Sequence, residues 1–460
     1  MPGRDREAPS TRGKPDVKRR MRTPGPVRKV EFLRPAVPAI SAVPHRVLRA
    51  VPHRLDARSI ALGVRRRIRS SYPEGALNTW SIQLFEEQKR ALGRQYTRRS
   101  DLTALTQILT TLGPLVGLWW LAVEGGLTSR WLTVVALPGM CLFTLRVFAL
   151  MHECGHSSLF RTSRLNRAFG FLLGVVAGMP QYVWSQHHHY HHTHNGNWEK
   201  YRGPYTTLSV DEYAAMTAGQ KLLYRCKCSI LLAPVVGFVY LLFNPRYTWL
   251  RGSIALVSHV VRKKLARPDL SMKAHAASFR TRYWQSPREY WHMFWNNLVL
   301  MSAWALLCWA CGTGLFFLIY VISLSLAGGA GVVLFTVQHN FEHAYASDGE
   351  HWEYDRGAID GTSFLILPGY LNWFTANIGY HHIHHLFPRI PNYCLVECHN
   401  RHQHLFADVR RLRLSDIRQA LKCILWDPRA RRIITIAEHR RLQSQSGACS
   451  HGCSGDRGTA

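Results

Sequence analysis

Long runs without charge constrain the fold of this chain more than any other feature. Residues 102–123 form 22 positions with no charged side chain, and residues 131–151 are interrupted only by Arg146. Residues 298–337 add 40 uncharged positions, with glycines at 312 and 314 near the middle. About 20 apolar residues are needed for a helix that crosses a ~30 Å hydrocarbon core. The runs therefore predict an all-α integral membrane protein with four transmembrane helices in two hairpins, and we expect Arg146 to snorkel to the interface.

Two shorter apolar runs, 168–184 and 229–244, are marginal for spanning, and we interpret them as interfacial or half-buried helices. Basic residues flank the outer ends of both predicted hairpins, whereas the turn of the first hairpin carries only Glu124 and Arg130. The positive-inside rule then places those outer ends on the cytoplasmic side. All histidine-rich segments emerge there, which predicts a cytosolic helical cap.

The remaining charge is concentrated at the N-terminus. Residues 1–70 carry 19 Lys and Arg against 5 Asp and Glu, in a chain of net charge +30. This segment is rich in proline and lacks a sustained apolar period, so residues 1–100 are predicted to be a largely disordered arm that meets anionic lipid and not nucleic acid. The predicted membrane domain covers residues 101–408. Residues 409–460 are predicted to form a C-terminal helical segment and a polar tail.

Histidines cluster in four segments: "MHECGH", "HHHYHH", "QHNFEH" and "YHHIHH". The second and fourth share the spacing H-x-x-H-H, which on a helix would aim three imidazoles at one place. The candidate ligands are His152, His156, His188, His191, His192, His339, His343, His381, His384 and His385. With one ligand from the third segment, nine imidazoles exceed the three or four protein ligands of a tetrahedral zinc site. The pattern predicts two metal ions, and the choice between His339 and His343 stays open.

The first segment also matches H-E-x-x-H, in which Glu153 would be the general base of a zinc peptidase. That interpretation leaves both H-x-x-H-H segments without a purpose, and we disfavour it. A metal transporter or sensor is disfavoured as well, because such a protein should carry ionisable residues along its spans.

Three of the four histidine segments resemble those of integral-membrane fatty acid desaturases in order and approximate spacing, on the residues "HECGH", "HHYHHTHNGN" and "NIGYHHIHHLFPRIPNY". The stretch from "QHNFEHAY" to "GYHHIHHL" is similar to bacterial acyl-lipid desaturases of the omega-6 (delta-12) type. The resemblance covers roughly residues 101–408. It implies a non-haem centre of two irons, O2 as the oxidant and a long acyl chain as the substrate, in a bacterial inner membrane with the active site on the cytoplasmic face.

An external electron donor of the ferredoxin or cytochrome type is expected, because the sequence shows no Gly-rich dinucleotide motif and no haem module of its own. A lipid or carotenoid hydroxylase or ketolase of the same fold is the alternative, since the histidine segments do not fix the fate of the oxidised C–H bond.

Further residues are candidates because they lie close to the histidines in sequence. Those expected to orient the imidazole ligands are Glu153, Glu342, Asp360 and Asn377. Those expected to line an apolar acyl slot are Trp184, Trp198, Phe341 and Trp373. An interfacial anchoring role is equally open for these aromatic side chains.

Overall fold

The structure is a computed structural model that describes residues 87–203 and 207–452, with side chains as far as residue 444. Most of the predicted N-terminal arm and the end of the polar tail therefore lie outside the described residues. The α-helices in chain order are α1 (87–96), α2 (Asp101–Thr128), α3 (Arg130–Gly155), α4 (Ser163–Val176), α5 (Gln181–His194), α6 (Val210–Ala215), α7 (Ala218–Lys227), α8 (Ala233–Phe238), α9 (Asn244–Ala266), α10 (Met272–Ala277), α11 (Pro287–Cys311), α12 (Thr313–His339), α13 (Tyr354–Ile359), α14 (Gly369–Phe374), α15 (His381–Leu386), α16 (Asn392–Arg401), α17 (Ile417–Ala420) and α18 (Ile436–Gly452).

The two hairpins expected from the apolar runs are helices α2 with α3 and α11 with α12. Ser100 caps α2 by accepting a hydrogen bond from the backbone N–H of Thr103 at 3.2 Å. In the second hairpin, Gly312 turns the chain with φ of 83°, a left-handed conformation that favours glycine. The main apolar core runs along α2, α3 and α12, with Met140, Leu150 and Phe316 fully buried.

Five of the described helical stretches are long and apolar enough to span a membrane, one more than predicted. The additional stretch is Ile230–Ala266, which joins a 3₁₀ turn (Ile230–Leu232), α8, a π-helical turn (Val239–Phe243) and α9. It contains the run at 229–244 that the sequence predicts to be interfacial. The other marginal run, 168–184, ends α4 and begins α5, and these two helices are bent by 103° relative to each other.

Small sheets depart from the all-α prediction. The strands are β1 (Leu208–Ser209), β2 (Phe364–Leu365), β3 (Arg411–Leu412), β4 (Cys423–Asp427) and β5 (Arg432–Thr435). One sheet has the order β1-β4-β5, with β1 parallel to β4 and β4 antiparallel to β5, and the other pairs β2 with β3 in parallel. Residues 411–435 lie within the stretch 409–460, which was predicted to form a C-terminal helical segment and a polar tail. They lack the long periodic run of a helix and instead bury β4 completely.

Helical structure is also present before residue 101, where the predicted membrane domain begins. Residues 87–96 are helical, and α1 buries Leu92 and Tyr96 against Ile383 and Leu386 of α15. The arm therefore gives way to packed structure before the first predicted span. Because α1 contacts α15, it helps to close the cap over the histidines.

Arg146 does not snorkel to an interface, and that prediction is wrong. The side chain is 1% exposed inside α3. Its Nε donates to Thr111 Oγ1 at 2.9 Å, one Nη donates to the backbone carbonyl of Trp373, and the guanidinium lies 3.7 Å from the centre of the Trp373 ring. Arg146 stays inside the bundle because its partners lie on α2 and α14. These partners are distant in sequence, so the sequence alone does not show them.

Candidate metal centre

Nine imidazoles, eight of them buried and that of His156 half-buried, meet in two groups where α3, α5, α12 and α15 come together. The first group is His152, His156, His188, His192 and His384, and the second is His191, His339, His381 and His385. Within each group the ligand nitrogens lie within 4.8 Å of one another. The rings of His192 and His385 are stacked 4.0 Å apart, so the two groups adjoin.

Each H-x-x-H-H segment contributes to both groups. From α5, His188 and His192 enter the first group while His191 enters the second, and from α15, His384 enters the first while His381 and His385 enter the second. The expectation that three imidazoles of one helix aim at one place is therefore wrong. Positions i and i+4 share a direction, and position i+3 diverges enough to reach a neighbouring site. Helices α5 and α15 thereby fix the two groups relative to each other.

The separations within the groups fit nitrogens that share an ion. Nε2 of His381 lies 2.9 Å from Nε2 of His339, Nε2 of His192 lies 3.0 Å from Nε2 of His188, and Nε2 of His191 lies 3.2 Å from Nε2 of His385. Two imidazole nitrogens held about 2.1 Å from one metal ion at a right angle would be roughly 3 Å apart. Among the described residues, neither ring nitrogen of the buried His384 has a hydrogen-bond partner. A cation in the first group would supply the missing partner of His384, because buried polar atoms are normally satisfied.

The electrostatic environment keeps the ligands in the form that binds metal. Burial, followed by the neighbouring imidazoles, holds the pKa of His381, His384 and His385 well below the usual histidine value of 6.5. These rings are therefore neutral at physiological pH. Neutral imidazole is the ligand form for iron, copper, zinc and nickel alike.

The two histidines of the third segment lie in opposite environments, one buried in the candidate metal centre and the other exposed. His339 is the last residue of α12 and lies buried in the second group, 4.5 Å ring to ring from His191. His343 has a side chain that is 62% exposed, a left-handed backbone with φ of 69°, and an exposed neighbour in Glu342, whose Oε1 lies 4.0 Å from His343 Nε2. Because α12 ends at His339, the i+4 relation that would have put both rings on one face is lost.

Two imidazoles are oriented by acceptors behind them. Glu153 is buried, and its Oε1 lies 3.2 Å from Nδ1 of His152, while Ser158 Oγ donates to its Oε2 at 2.8 Å. Nδ1 of His339 lies 3.3 Å from the backbone carbonyl oxygen of Gly361. Hydrogen bonds of this kind fix the direction in which a histidine presents its other nitrogen.

The other orienting candidates lie elsewhere. Glu342 is exposed beside His343, and exposed Asp360 accepts from Arg356 at 3.5 Å. The predictions for these two carboxylates are wrong, because both side chains point to the surface while the adjacent Gly361 carbonyl faces the ligand. The Asn377 side chain donates to the backbone carbonyl of Asn392 at 3.0 Å instead of to a histidine.

An aromatic-lined cavity of about 300 Å³ lies on one side of α5. Trp184 closes its inner end: the indole stacks on His188 at 4.4 Å, and its N–H donates to the Tyr240 hydroxyl at 3.1 Å. Tyr240 belongs to the π-helical turn, a feature often found at functional sites. The opposite wall includes Trp249, Trp284, Tyr290 and Met293. The volume falls at the lower end of the range for small-molecule sites, ~300–1,000 Å³.

Three of the four aromatic candidates do not line this cavity. Trp198 stacks on Trp426 at 4.2 Å, and Phe341 is buried in the same cluster beside the small sheet. Trp373 is 38% exposed and carries Arg146 over its ring. Proximity in sequence was the only signal for these three, and the fold uses them for packing. Tyr240 was missed because its segment carries no histidine.

A second cavity, of about 450 Å³, lies on the other side of α5 and reaches the ligands His156 and His188 directly. Thr97, Phe387 and Arg389 contribute to its rim. Helix α5 therefore separates an aromatic cavity from an opening that leads to the first group.

Fold and site together define a helical protein with membrane-type apolar helices and a histidine-rich centre suited to two metal ions. The sequence model of the family "Fatty acid desaturase" matches residues 129–415. A fatty acid desaturase of Bacillus subtilis (strain 168) is 32% identical over 349 residues, which cover 75% of this chain and 90% of the relative. Plant proteins are more distant: the chloroplastic omega-3 fatty acid desaturase of Glycine max is 26% identical over 61% of this chain and 57% of its own length, and the endoplasmic reticulum omega-3 fatty acid desaturase of Vigna radiata is 26% identical over 73% and 80%.

The chain belongs to the fatty acid desaturase family. This confirms the resemblance drawn from the histidine segments. The protein is an oxidoreductase of lipid metabolism that acts on fatty acyl chains in a membrane context. The zinc-peptidase interpretation does not survive, because Glu153 is turned toward His152 and Ser158.

Proposed function

We propose that this protein introduces a double bond into long-chain fatty acyl groups at a centre of two irons. The two adjoining groups of imidazoles carry the proposal, because no carboxylate or thiolate lies among the nine ligands. His152, His156, His188, His192 and His384 would hold one ion, and His191, His339, His381 and His385 would hold the other. Bound iron would supply an oxidant, made from O2, that is strong enough for an unactivated methylene.

The overall reaction balances with two external electrons. One –CH2–CH2– unit, O2, two electrons and two protons give –CH=CH– and two molecules of water. The acyl chain lies in the aromatic cavity, and the stacking of Trp184 on His188 places the inner end of that cavity against a ligand of the first group. The aromatic walls hold the chain by apolar contact and keep water from the reacting methylene.

The electrons enter from the opposite side of α5. A cavity that reaches a ligand shortens the distance that an electron must travel through the protein, and the second cavity is lined by His156 and His188. Arg98 and Arg389 are exposed near its rim. Basic side chains there would attract an acidic donor of the ferredoxin or cytochrome type. Reversing both charges should raise the KM for the donor and weaken its dependence on ionic strength.

Four membrane crossings fit the site better than five. The ends of α3 and α12 carry His152 and His339, which lie in adjoining groups and therefore on one side of the membrane. A single crossing by Ile230–Ala266 would place the whole second hairpin in the opposite orientation. His339 would then lie across the bilayer from His152.

The contacts of Ile230–Ala266 support a segment that enters and leaves on the same side. The first part and the middle of this segment lie beside the second hairpin, and its later part lies beside the residues that precede α11: a Cβ on Gly237 would lie 2.2 Å from the Gly328 carbonyl carbon, Arg246 Nη2 donates to Asn296 at 3.2 Å, and Gly252 packs on Trp284. The cap then faces the cytoplasm of a bacterial inner membrane, by the positive-inside rule. An Asp269→Cys variant should react with an impermeant thiol reagent only in inside-out vesicles, and reaction in right-side-out vesicles would refute four crossings.

We retain the delta-12 (omega-6) position as the proposed site of desaturation, on the sequence resemblance. Expression in a bacterial host, followed by gas chromatography and mass spectrometry with double-bond localisation, tests both reaction and position. A His384→Ala variant is the control. Loss of two hydrogens from an acyl chain supports the proposal, and a gain of oxygen instead would favour the hydroxylase or ketolase alternative.

A further inference from the structure

Arg146 is a buried cation in a membrane-type helix whose recorded partners in the described chain are all uncharged. Besides Thr111 and Trp373, its Nη2 donates to Oε1 of Gln107 on α2 at 3.2 Å. Ionisable side chains in such helices are costly to bury, and those that persist usually serve a function. The desaturation chemistry proposed above does not use this side chain.

The same Gln107 oxygen begins a path of hydrogen bonds to the metal centre. Asn392 Nδ2 donates to Gln107 Oε1 at 2.7 Å, and Gln107 Nε2 lies 3.3 Å from Asn392 Oδ1 in return. The backbone N–H of Asn392 donates to Glu153 Oε2 at 3.1 Å, and the other oxygen of that carboxylate orients His152. The path thus has a guanidinium at one end and a carboxylate at the other.

We propose that Arg146 is a positioning residue for the first metal group. It holds Gln107, which fixes Asn392, which in turn holds the Glu153 carboxylate behind His152. The path also joins two of the four histidine segments, because Asn377 and Asn392 flank α15 and are bonded to each other at 3.0 Å. This inference rests on the proposed metal centre and adds a residue about two helical turns before the ligand.

The geometry explains why arginine and not lysine stands here. The planar guanidinium donates in three directions at once, to α2 through Thr111 and Gln107 and to the carbonyl at the end of α14. A lysine ammonium would keep the positive charge but would lose the fixed planar arrangement of donors. We therefore expect Arg146→Lys to restore only part of what Arg146→Met removes.

The test measures metal binding and not turnover. Wild-type protein and variants, purified in detergent and loaded with Fe²⁺, are dialysed against graded chelator, and bound iron is counted by mass spectrometry. Loss of a group that orients a ligand typically costs 10–100-fold in metal affinity. Arg146→Met should lower the affinity for one of the two iron ions by about that factor and leave the affinity for the other within about twofold of wild type.

Arg246→Met is the matched control. Arg246 is also an arginine in an apolar segment, and it donates to the carbonyls of Gly178 and Leu242 at 2.9 Å without a recorded bond to any of the nine histidines. It should lower thermal stability and leave both iron affinities unchanged. If Arg146→Met keeps both affinities, or if both arginine variants lose iron equally, the positioning role is refuted.

A double-mutant cycle separates the path from a general effect on folding. If Arg146 acts through Glu153, Arg146→Met should have little further effect on iron affinity in a Glu153→Gln background. Fully additive losses would refute the path. Wild-type protein that binds two irons but forms no double bond would refute the proposed function and leave this inference standing, so the two failures are distinguishable.

Discussion

His339 and His343 offer a comparison in which two identical residues, four positions apart, should behave oppositely. The perturbation is alanine at each position in turn. His339 is one of four imidazoles in the second group, whereas the side chain of His343 is 62% exposed and faces exposed Glu342. We expect His339→Ala to release one metal ion and to abolish desaturation, and His343→Ala to change neither.

The magnitude follows from the ligand count. Sites with four protein ligands bind zinc with about 10–16 kcal/mol in small peptides, so one ligand is worth roughly 3 kcal/mol if the four share equally. Since about 1.4 kcal/mol is a factor of ten, the affinity of the second site should fall roughly 100-fold. The exposed pair of His343 with Glu342, at 4.0 Å, belongs to a class worth about 0–1 kcal/mol to stability and should not affect metal binding.

Chelator competition with iron counting, together with lipid profiling of expressing cells, measures both effects. Unchanged iron in His339→Ala would refute the assignment of the second group. If His343→Ala lost as much iron as His339→Ala, both rings would bind metal. Helix α12 would then have to continue past His339, and the assignment of His343 to the surface would be wrong.

Further tests address packing, the cavity and pH. Gly237→Ala should destabilise the protein by about 1–3 kcal/mol, because its Cβ would meet the Gly328 backbone at 2.2 Å, whereas Gly219→Ala, with nothing within 4 Å, should be neutral in a thermal melt. Tyr240→Phe should reduce activity at unchanged iron content, since the Trp184 indole N–H loses its acceptor at 3.1 Å; full activity would exclude the pair from the acyl path. Burial lowers the pKa of His399 from 6.5 to about 4, so the unfolded chain takes up a proton on this imidazole at a higher pH than the folded protein does. The stability of the apo-protein should therefore fall as the pH drops from 6.5 toward 4. His399→Gln should make the melting temperature less dependent on pH in that range.

The histidines of the site show which features of a metal centre can be predicted from the spacing of neighbouring residues. The H-x-x-H-H spacing is a property of neighbouring residues, so it identified the residues that α5 and α15 contribute without any knowledge of the fold. The division of each segment between two groups depends on which helices face it, and this was missed. His382, between two of the grouped histidines, is instead paired with His399 at 3.1 Å.

The sequence by itself determined the membrane-type helices, the metal-binding segments and the family, because uncharged length and ligand spacing are encoded in consecutive residues. Tertiary structure decided what depends on distant chain. It buried Arg146 against α2 and α14, set Gly361 and not Asp360 behind His339, gave Trp198 and Phe341 to the packing beside the sheet, and folded Ile230–Ala266 along the second hairpin. The physical reason is that a side chain's partner is chosen by which surfaces meet when helices pack, and sequence neighbours do not specify that choice.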